Sequence, residues 1–298
     1  MKYLVTGGLG FIGSHVVDSL ISQGDDVTVL DNLSSGKKKN LNPKAELVIC
    51  DISKAHIEFL SRYLENVDIV FHLAATPQVQ YSVENPTDNN NINSTINILE
   101  ACRLSGVKRV IFSSSSAVYG NPKYTPIDEL HPIETLSPYA LHKLVGEQYC
   151  KLYSNIYELD TVCLRYFNAY GNRMSNTGAY RSVVSIFIEQ HKGNLPLNIV
   201  NDGEQRRDFV HVNDIVKANI LCSKQKNNFN GEVYNVGTSK SFSVNQIADM
   251  FGGDKKYGEQ RIEPKDSVAE NSKVVLGLGW SPTGDLNMWI NSILKNEK

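Results

Sequence analysis

Residues 6–13 read TGGLGFIG. The apolar run Tyr3-Leu4-Val5 precedes them, and a helical apolar pattern follows from Phe11 to Ser22. Glycines 7, 10 and 13 therefore lie between a strand and a helix. Glycine there permits a tight turn and lets backbone N–H groups approach a diphosphate at the positive end of the helix. The spacing is G-x-x-G-x-x-G rather than G-x-G-x-x-G, and glycine-rich turns are common, so the stretch needs a second feature. Asp31 supplies one. It ends the next apolar run, DVTVLD, 18 residues past Gly13. An acid at that point accepts hydrogen bonds from adenosine ribose hydroxyls and repels an added phosphate, which favours NAD(H) over NADP(H). Asp51 closes a third run, AELVICD, with Ile52 beside it. It reads either as an adenine-edge contact or as the N-cap of the following segment.

The same rhythm continues through the first two-thirds of the chain. VDIVFHLAA, VKRVIFSSS and DTVCLRYFN read as strands, with helical spacing over about 89–105 and 137–156. Strands alternating with helices predict an α/β fold, a doubly wound parallel sheet of the NAD-binding Rossmann type. Past Asn172 the alternation weakens into short strands, turns and short helices. The expected division is a Rossmann domain over 1–172 that also receives segments from about 208–240, and a smaller C-terminal substrate-binding lobe built mainly from 173–298.

With 41% hydrophobic and 21% charged residues, the chain has the composition of a globular core rather than of a disordered segment. Its net charge of -2 offers no basic field for nucleic acid or an anionic membrane. No run approaches the ~18 apolar residues of a bilayer span, and KYLVTGG begins without a signal-peptide pattern. Five scattered cysteines without a C-x-x-C pair argue against a disulfide framework or thiolate metal site and suggest a reducing, cytoplasmic setting. No metal is expected.

Y-x-x-x-K occurs twice, at Tyr119…Lys123 and Tyr139…Lys143, where about one match is expected by chance. Gly120-Asn121-Pro122 breaks the first with a turn. The second follows Ser137-Pro138, an N-cap and first-turn pair, so Tyr139 and Lys143 share a helix face. A free tyrosine titrates near pH ~10 and cannot serve as a base at neutrality. A neighbouring ammonium and a nicotinamide ring favour the phenolate, and the lysine also reaches the nicotinamide ribose. The strand ending in SSSSAVYG, residues 113–120, offers a serine hydroxyl for the substrate oxygen.

Together TGGLGFIGSH, DNLSSG, HLAA, SSSSAVYG, SPYALHK and RYFNAYG resemble the extended short-chain dehydrogenase/reductase superfamily. Within it they resemble the NAD-dependent epimerase/dehydratase family, of the UDP-glucose 4-epimerase type. The resemblance implies Ser115, Tyr139 and Lys143 as catalytic residues. It implies NAD contacts at Gly7, Gly10, Phe11, Ile12, Gly13, Asp31, Asn32, Asp51, Ile52, Leu73, Ala74, Ala75, Asn93, Ser113, Tyr139, Lys143 and Tyr166. For a UDP-sugar it implies Ser115 and Tyr139 at the sugar, Asn168, Arg207 and Arg261 at the diphosphate, and Asn198 and Val200 around the uridine. Ser267 falls where a bulky residue restricts the sugar pocket of strict UDP-glucose epimerases. A homodimer through the two long helices is also implied.

The reaction this suggests is NAD-dependent 4-epimerisation of a UDP-hexose through a 4-keto intermediate, with UDP-glucose/UDP-galactose or the N-acetylated pair as substrates. A UDP-glucuronate 4-epimerase is an alternative. A 4,6-dehydratase is disfavoured, because dehydration needs an acid and a base where this chain has Ser116-Ala117. A non-enzymatic NAD-binding sensor or scaffold would have no need to keep Ser115, Tyr139 and Lys143 together.

Overall fold

The computed structural model describes residues 1–77, 79–87, 91–175, 182–258 and 264–295. From the N-terminus run β1 (Lys2–Thr6), α1 (Phe11–Ser22), β2 (Asp26–Asp31), β3 (Glu46–Ile49), α2 (Ile57–Leu64) and β4 (Ile69–His72). Then come α3 (Val79–Glu84), α4 (Asn91–Ser105), β5 (Arg109–Ser115), α5 (Pro138–Tyr157) and β6 (Asp160–Tyr166). The chain continues as β7 (Asn168–Tyr170), α6 (Val183–Lys192), β8 (Leu197–Ile199), β9 (Arg206–His211), α7 (Val212–Lys224) and β10 (Glu232–Val236). It closes with β11 (Ser241–Ser243), α8 (Val244–Phe251), β12 (Lys255–Tyr257), β13 (Asp266–Ser267), α9 (Ser272–Leu278) and α10 (Leu286–Lys295).

Seven strands form one parallel sheet in the order β10-β6-β5-β4-β1-β2-β3. Apart from β3 at the sheet edge, the apolar strands read from the sequence are buried on both faces, as parallel sheets require. On β1, Tyr3 and Val5 face the α1/α7 layer, while Leu4 joins the core under α2, α4 and α5. Each fully buried side chain of this kind stabilises the fold by about 1.5–3 kcal/mol. The winding reverses between β1 and β4, so a crevice opens outside their carboxyl ends.

β10, from the second half of the chain, adds to the sheet beside β6. The smaller lobe has its own core of Phe187, Leu197, Phe209, Ile247, Phe251 and Ile290. Its strands pair in short pieces: β9 carries β11, β13 and β7, and β8 pairs with β12. The sequence reading marked none of α2, α3, α6 and α7 as a helix. α3 has only six residues, and α6 opens at Ser182, whose side chain caps Ser185 N–H, directly after the polar stretch.

Candidate active site

The glycine turn is held by contacts that leave no room for side chains. A Cβ on Gly13 would lie 2.2 Å from the Gly7 carbonyl oxygen, and one on Gly7, at φ +68°, would lie 2.8 Å from Ala74 N. Gly10 caps α1 without any side-chain hydrogen bond, so the first-turn N–H groups remain directed at the crevice. A cleft of about 580 Å³ begins here, lined by Gly7, Gly10, Phe11, Ile12 and Gly13.

Asp31, Asn32, Asp51 and Ile52 line one side of the cleft. The buried Asp31 carboxylate accepts the Leu9 N–H at 3.0 Å and the Leu33 N–H at 2.8 Å. A carboxylate offers about four acceptor positions, so capacity remains for two ribose hydroxyls. Asp51 accepts from both N–H and Oγ of Ser53, at 3.1 and 2.7 Å. It is not the α2 cap, since that helix begins after His56. Leu73, Ala74 and Ala75 form the opposite wall with Thr76. The Asn91 amide clamps Thr76 by accepting its N–H at 2.7 Å and donating to its carbonyl at 3.2 Å.

At the inner end the cleft meets Ser113, Ser115, Tyr139, Lys143 and Tyr166. Ser137 caps α5, accepting Ala140 N–H at 3.1 Å, with Pro138 in the first turn. That start sets the helix phase and turns Tyr139 and Lys143 inward, both buried. Lys143 Nζ donates to the Ser113 carbonyl at 2.6 Å, and burial brings its pKa down to about 8. Burial pushes the Tyr139 hydroxyl up, and hydrogen bonding with Ser115 pulls the other way. The Lys143 ammonium lies 5.9 Å from the Tyr139 ring centroid and is aimed at a carbonyl. The other Y-x-x-x-K tyrosine, Tyr119, is buried away from the cleft, its hydroxyl pushed up to about 12 by burial.

Asn93 is exposed on α4 and does not line the cleft, whereas Asn91, two positions earlier, does. Positions two apart on a helix face different directions. Asn168, Asn198, Val200, Arg207 and Ser267 lie outside the cleft on the smaller lobe. Pairing brings three of them onto one small sheet: Ser267 is in register with Arg207, and Asn168 with Phe209. Asn168 Nδ2 donates to the Asp208 carbonyl at 2.9 Å, and Arg207 Nη1 to the Arg206 carbonyl at 2.9 Å. Asn198 is exposed on β8, and the Val200 carbonyl accepts from Gln205. Arg261 lies outside the described residues. Sequence reasoning missed Thr76, Asn91 and Ser94 at the cleft; the polar run NINST at the start of α4 was the available signal.

A doubly wound sheet, a glycine turn too tight for side chains, an acid at the end of β2 and a Tyr-Lys-Ser cluster beyond them define a dinucleotide-dependent enzyme of the short-chain dehydrogenase/reductase type. Residues 3–237 match the NAD dependent epimerase/dehydratase family, and the chain belongs to it. Its cofactor is NAD, and it is an isomerase-class enzyme similar to UDP-glucose 4-epimerases. A Methanocaldococcus jannaschii protein provisionally named a UDP-glucose 4-epimerase is 44% identical, over 98% of this chain and 96% of that one. The Thermotoga maritima UDP-glucose 4-epimerase, solved with UDP-glucose, superposes with a TM-score of 0.92 at 37% identity, each chain covered completely (100%). A UDP-N-acetylglucosamine 4-epimerase from Methanobrevibacter ruminantium, solved with UDP-N-acetylmuramic acid, gives a TM-score of 0.91 at 38% identity, covering 99% of this chain and 97% of that one. Among the described residues no helix is long and apolar enough to cross a membrane, and no His/Cys/Asp/Glu cluster could hold a metal.

Proposed function

We propose that the chain interconverts the C4 epimers of a UDP-hexose. The observation that carries this reading is the convergence of Ser115, Tyr139 and Lys143 at the inner end of the NAD cleft, with Ser116-Ala117 beside them. When bound, NAD supplies a reversible hydride acceptor for C4 of the sugar. Tyr139, as phenolate, takes the proton of the 4-hydroxyl, and Ser115 donates a hydrogen bond to the same oxygen. Lys143 holds the nicotinamide ribose and stabilises the phenolate. Once the 4-keto sugar has turned in the pocket, Tyr139 would return the proton to the same oxygen as the sugar is reduced. Ser116-Ala117 cannot remove water across C5 and C6, so the oxidised sugar has only reduction open to it.

Residues 173–298 act in this reading as the nucleotide-sugar lobe. Arg207, Asn168 and Arg261 hold the diphosphate, and Asn198 and Val200 flank the uridine. Binding energy placed there leaves the hexose loosely held, which the turn between two hydride transfers requires. The small side chain of half-buried Ser267 favours a pocket that accepts N-acetylhexosamines as well as glucose and galactose. Leu141, Leu152 and Ile156 on α5 and Leu104 on α4 are exposed apolar residues, supporting a homodimer through those two helices. All five cysteines are buried free thiols, which suits a reducing cytoplasm.

The test is Tyr139→Phe, assayed by NMR for C4 inversion of UDP-glucose, UDP-N-acetylglucosamine and UDP-glucuronate. Loss of turnover with UDP-sugar binding retained is expected. Near-normal turnover would overturn the assignment, and inversion of the uronate alone would redirect it.

A further inference from the structure

The three serines that end β5 each meet a different rung of α5. Tyr139, Lys143 and Glu147 are spaced by four and lie along one helix face. Ser115 bonds with Tyr139, and the Ser113 carbonyl accepts from Lys143. Ser114 Oγ donates to Glu147 Oε1 at 2.5 Å. The Glu147 carboxylate also accepts from Arg165 Nε at 2.8 Å and Nη2 at 2.6 Å. Arg165 Nη1 donates to the Tyr119 hydroxyl at 2.8 Å, which donates to Asn235 Oδ1 at 2.7 Å. Ser115 is half-buried, and every other member is buried.

We propose that Glu147 is a positioning residue, locking the α5 face onto the serine end of β5 and presenting its charge to the Lys143 ammonium. This rests on Tyr139 and Lys143 being the catalytic pair. A buried carboxylate costs more to desolvate than a single hydrogen bond returns, and Arg165 neutralises that cost. Its second effect is electrostatic. Burial works against the Lys143 ammonium, and Glu147 is the largest influence opposing it. The other groups around Lys143 cannot take over that charge. Cys150 on α5 and Cys163 on β6 are buried thiols, and burial pushes the Cys163 thiol up. His72 on β4 is held neutral, its pKa lowered to about 3. Tyr139 is the group that must exchange a proton.

The holoenzyme with NAD bound is compared with Ser114→Ala and with the double variant Glu147→Gln/Arg165→Met. The double change removes both buried charges together and leaves neither unpaired. kcat and KM for C4 inversion are followed through the neutral and alkaline range, with bound NAD and melting temperature as checks of folding. The double variant is expected to lose activity about one pH unit earlier on the alkaline side, because Lys143 gives up its proton sooner. Ser114→Ala, which keeps both charges, is expected to retain the wild-type alkaline limb and lose kcat several-fold at unchanged KM. A folded double variant with the wild-type alkaline limb overturns the proposal. Should the double variant not fold, Ser114→Ala decides: wild-type kcat overturns the proposal, and reduced kcat at unchanged KM upholds it. Tyr139→Phe separates the two readings, since turnover in that variant removes the catalytic assignment itself.

Discussion

A buried arginine–carboxylate pair lies at each end of strands β5 and β6, the first between the two strands and the second between β6 and α5. At their first residues, which are in register, Arg109 Nε meets Asp160 Oδ2 at 2.5 Å. Near their last residues Arg165 meets Glu147, and both pairs are almost fully buried. The chemistry is the same, and the spare bonds differ. Arg109 gives its remaining donors to the carbonyls of Cys222, Gln225 and Asn227, and Asp160 accepts the N–H groups of Phe229 and Asn230. That pair ends in main chain and closes the segment after α7. The upper pair ends in side chains, Ser114 and Tyr119, beside the helix that bears Tyr139 and Lys143. What a buried ion pair does is therefore read from what its spare donors and acceptors touch.

The largest effect tests the lower pair. Asp160→Asn leaves the Arg109 guanidinium buried without its counter-charge, which costs about 3–5 kcal/mol. Urea unfolding should show that loss, while kcat per NAD-loaded enzyme and its pH profile stay at wild-type values. A shifted alkaline limb in Asp160→Asn would erase the contrast between the two ends.

Lys143→Met carries the opposite sign. The lysine pKa is about 8 when folded, against 10.5 for the free group. Between those values the unfolded chain binds more protons, so stability rises with pH. The cost of the buried ammonium is thus fully present below pH 8 and relieved as pH climbs towards 10.5. Lys143→Met should abolish turnover and raise stability on the order of 1–3 kcal/mol at neutral pH. Its advantage should shrink towards zero in alkaline melts, and an advantage independent of pH would show that the charge is not its source.

The cofactor half of the site was legible because sterics dictate it locally. Gly7 and Gly13 admit no Cβ, and Asp31 follows from strand length alone. Tyr139 and Lys143 were legible because Ser137-Pro138 sets the helix phase. Glu147 lies four residues further on the same face, but sequence cannot say whether a helical acid turns inward without knowing that Arg165 waits on β6. Asn91 and Asn93 show the resolution limit: both sit in NINST, and only the packing of α4 against Thr76 selects the first. The residues proposed for the sugar side rest on resemblance alone. Asn168, Arg207 and Ser267 come together through pairing of strands two to six residues long, too short for any periodicity.

The smallest effect separates the two tyrosines of the Y-x-x-x-K matches. Tyr119→Phe removes the hydroxyl between Arg165 Nη1 and Asn235 Oδ1 but leaves the Glu147–Arg165 bonds in place. Arg165 Nη1 and Asn235 Oδ1 both lose that partner, two hydrogen bonds with a net worth of about 0.5–1.5 kcal/mol each, and the guanidinium keeps its charge partner. The variant should melt a few degrees lower, with kcat near wild type and the alkaline limb unmoved, where Tyr139→Phe stops turnover without that loss of stability. If Tyr119→Phe moves the alkaline limb instead, Arg165 orients Glu147 only when its far side is held. The positioning device would then extend across the sheet to Asn235 on β10 rather than ending at the ion pair.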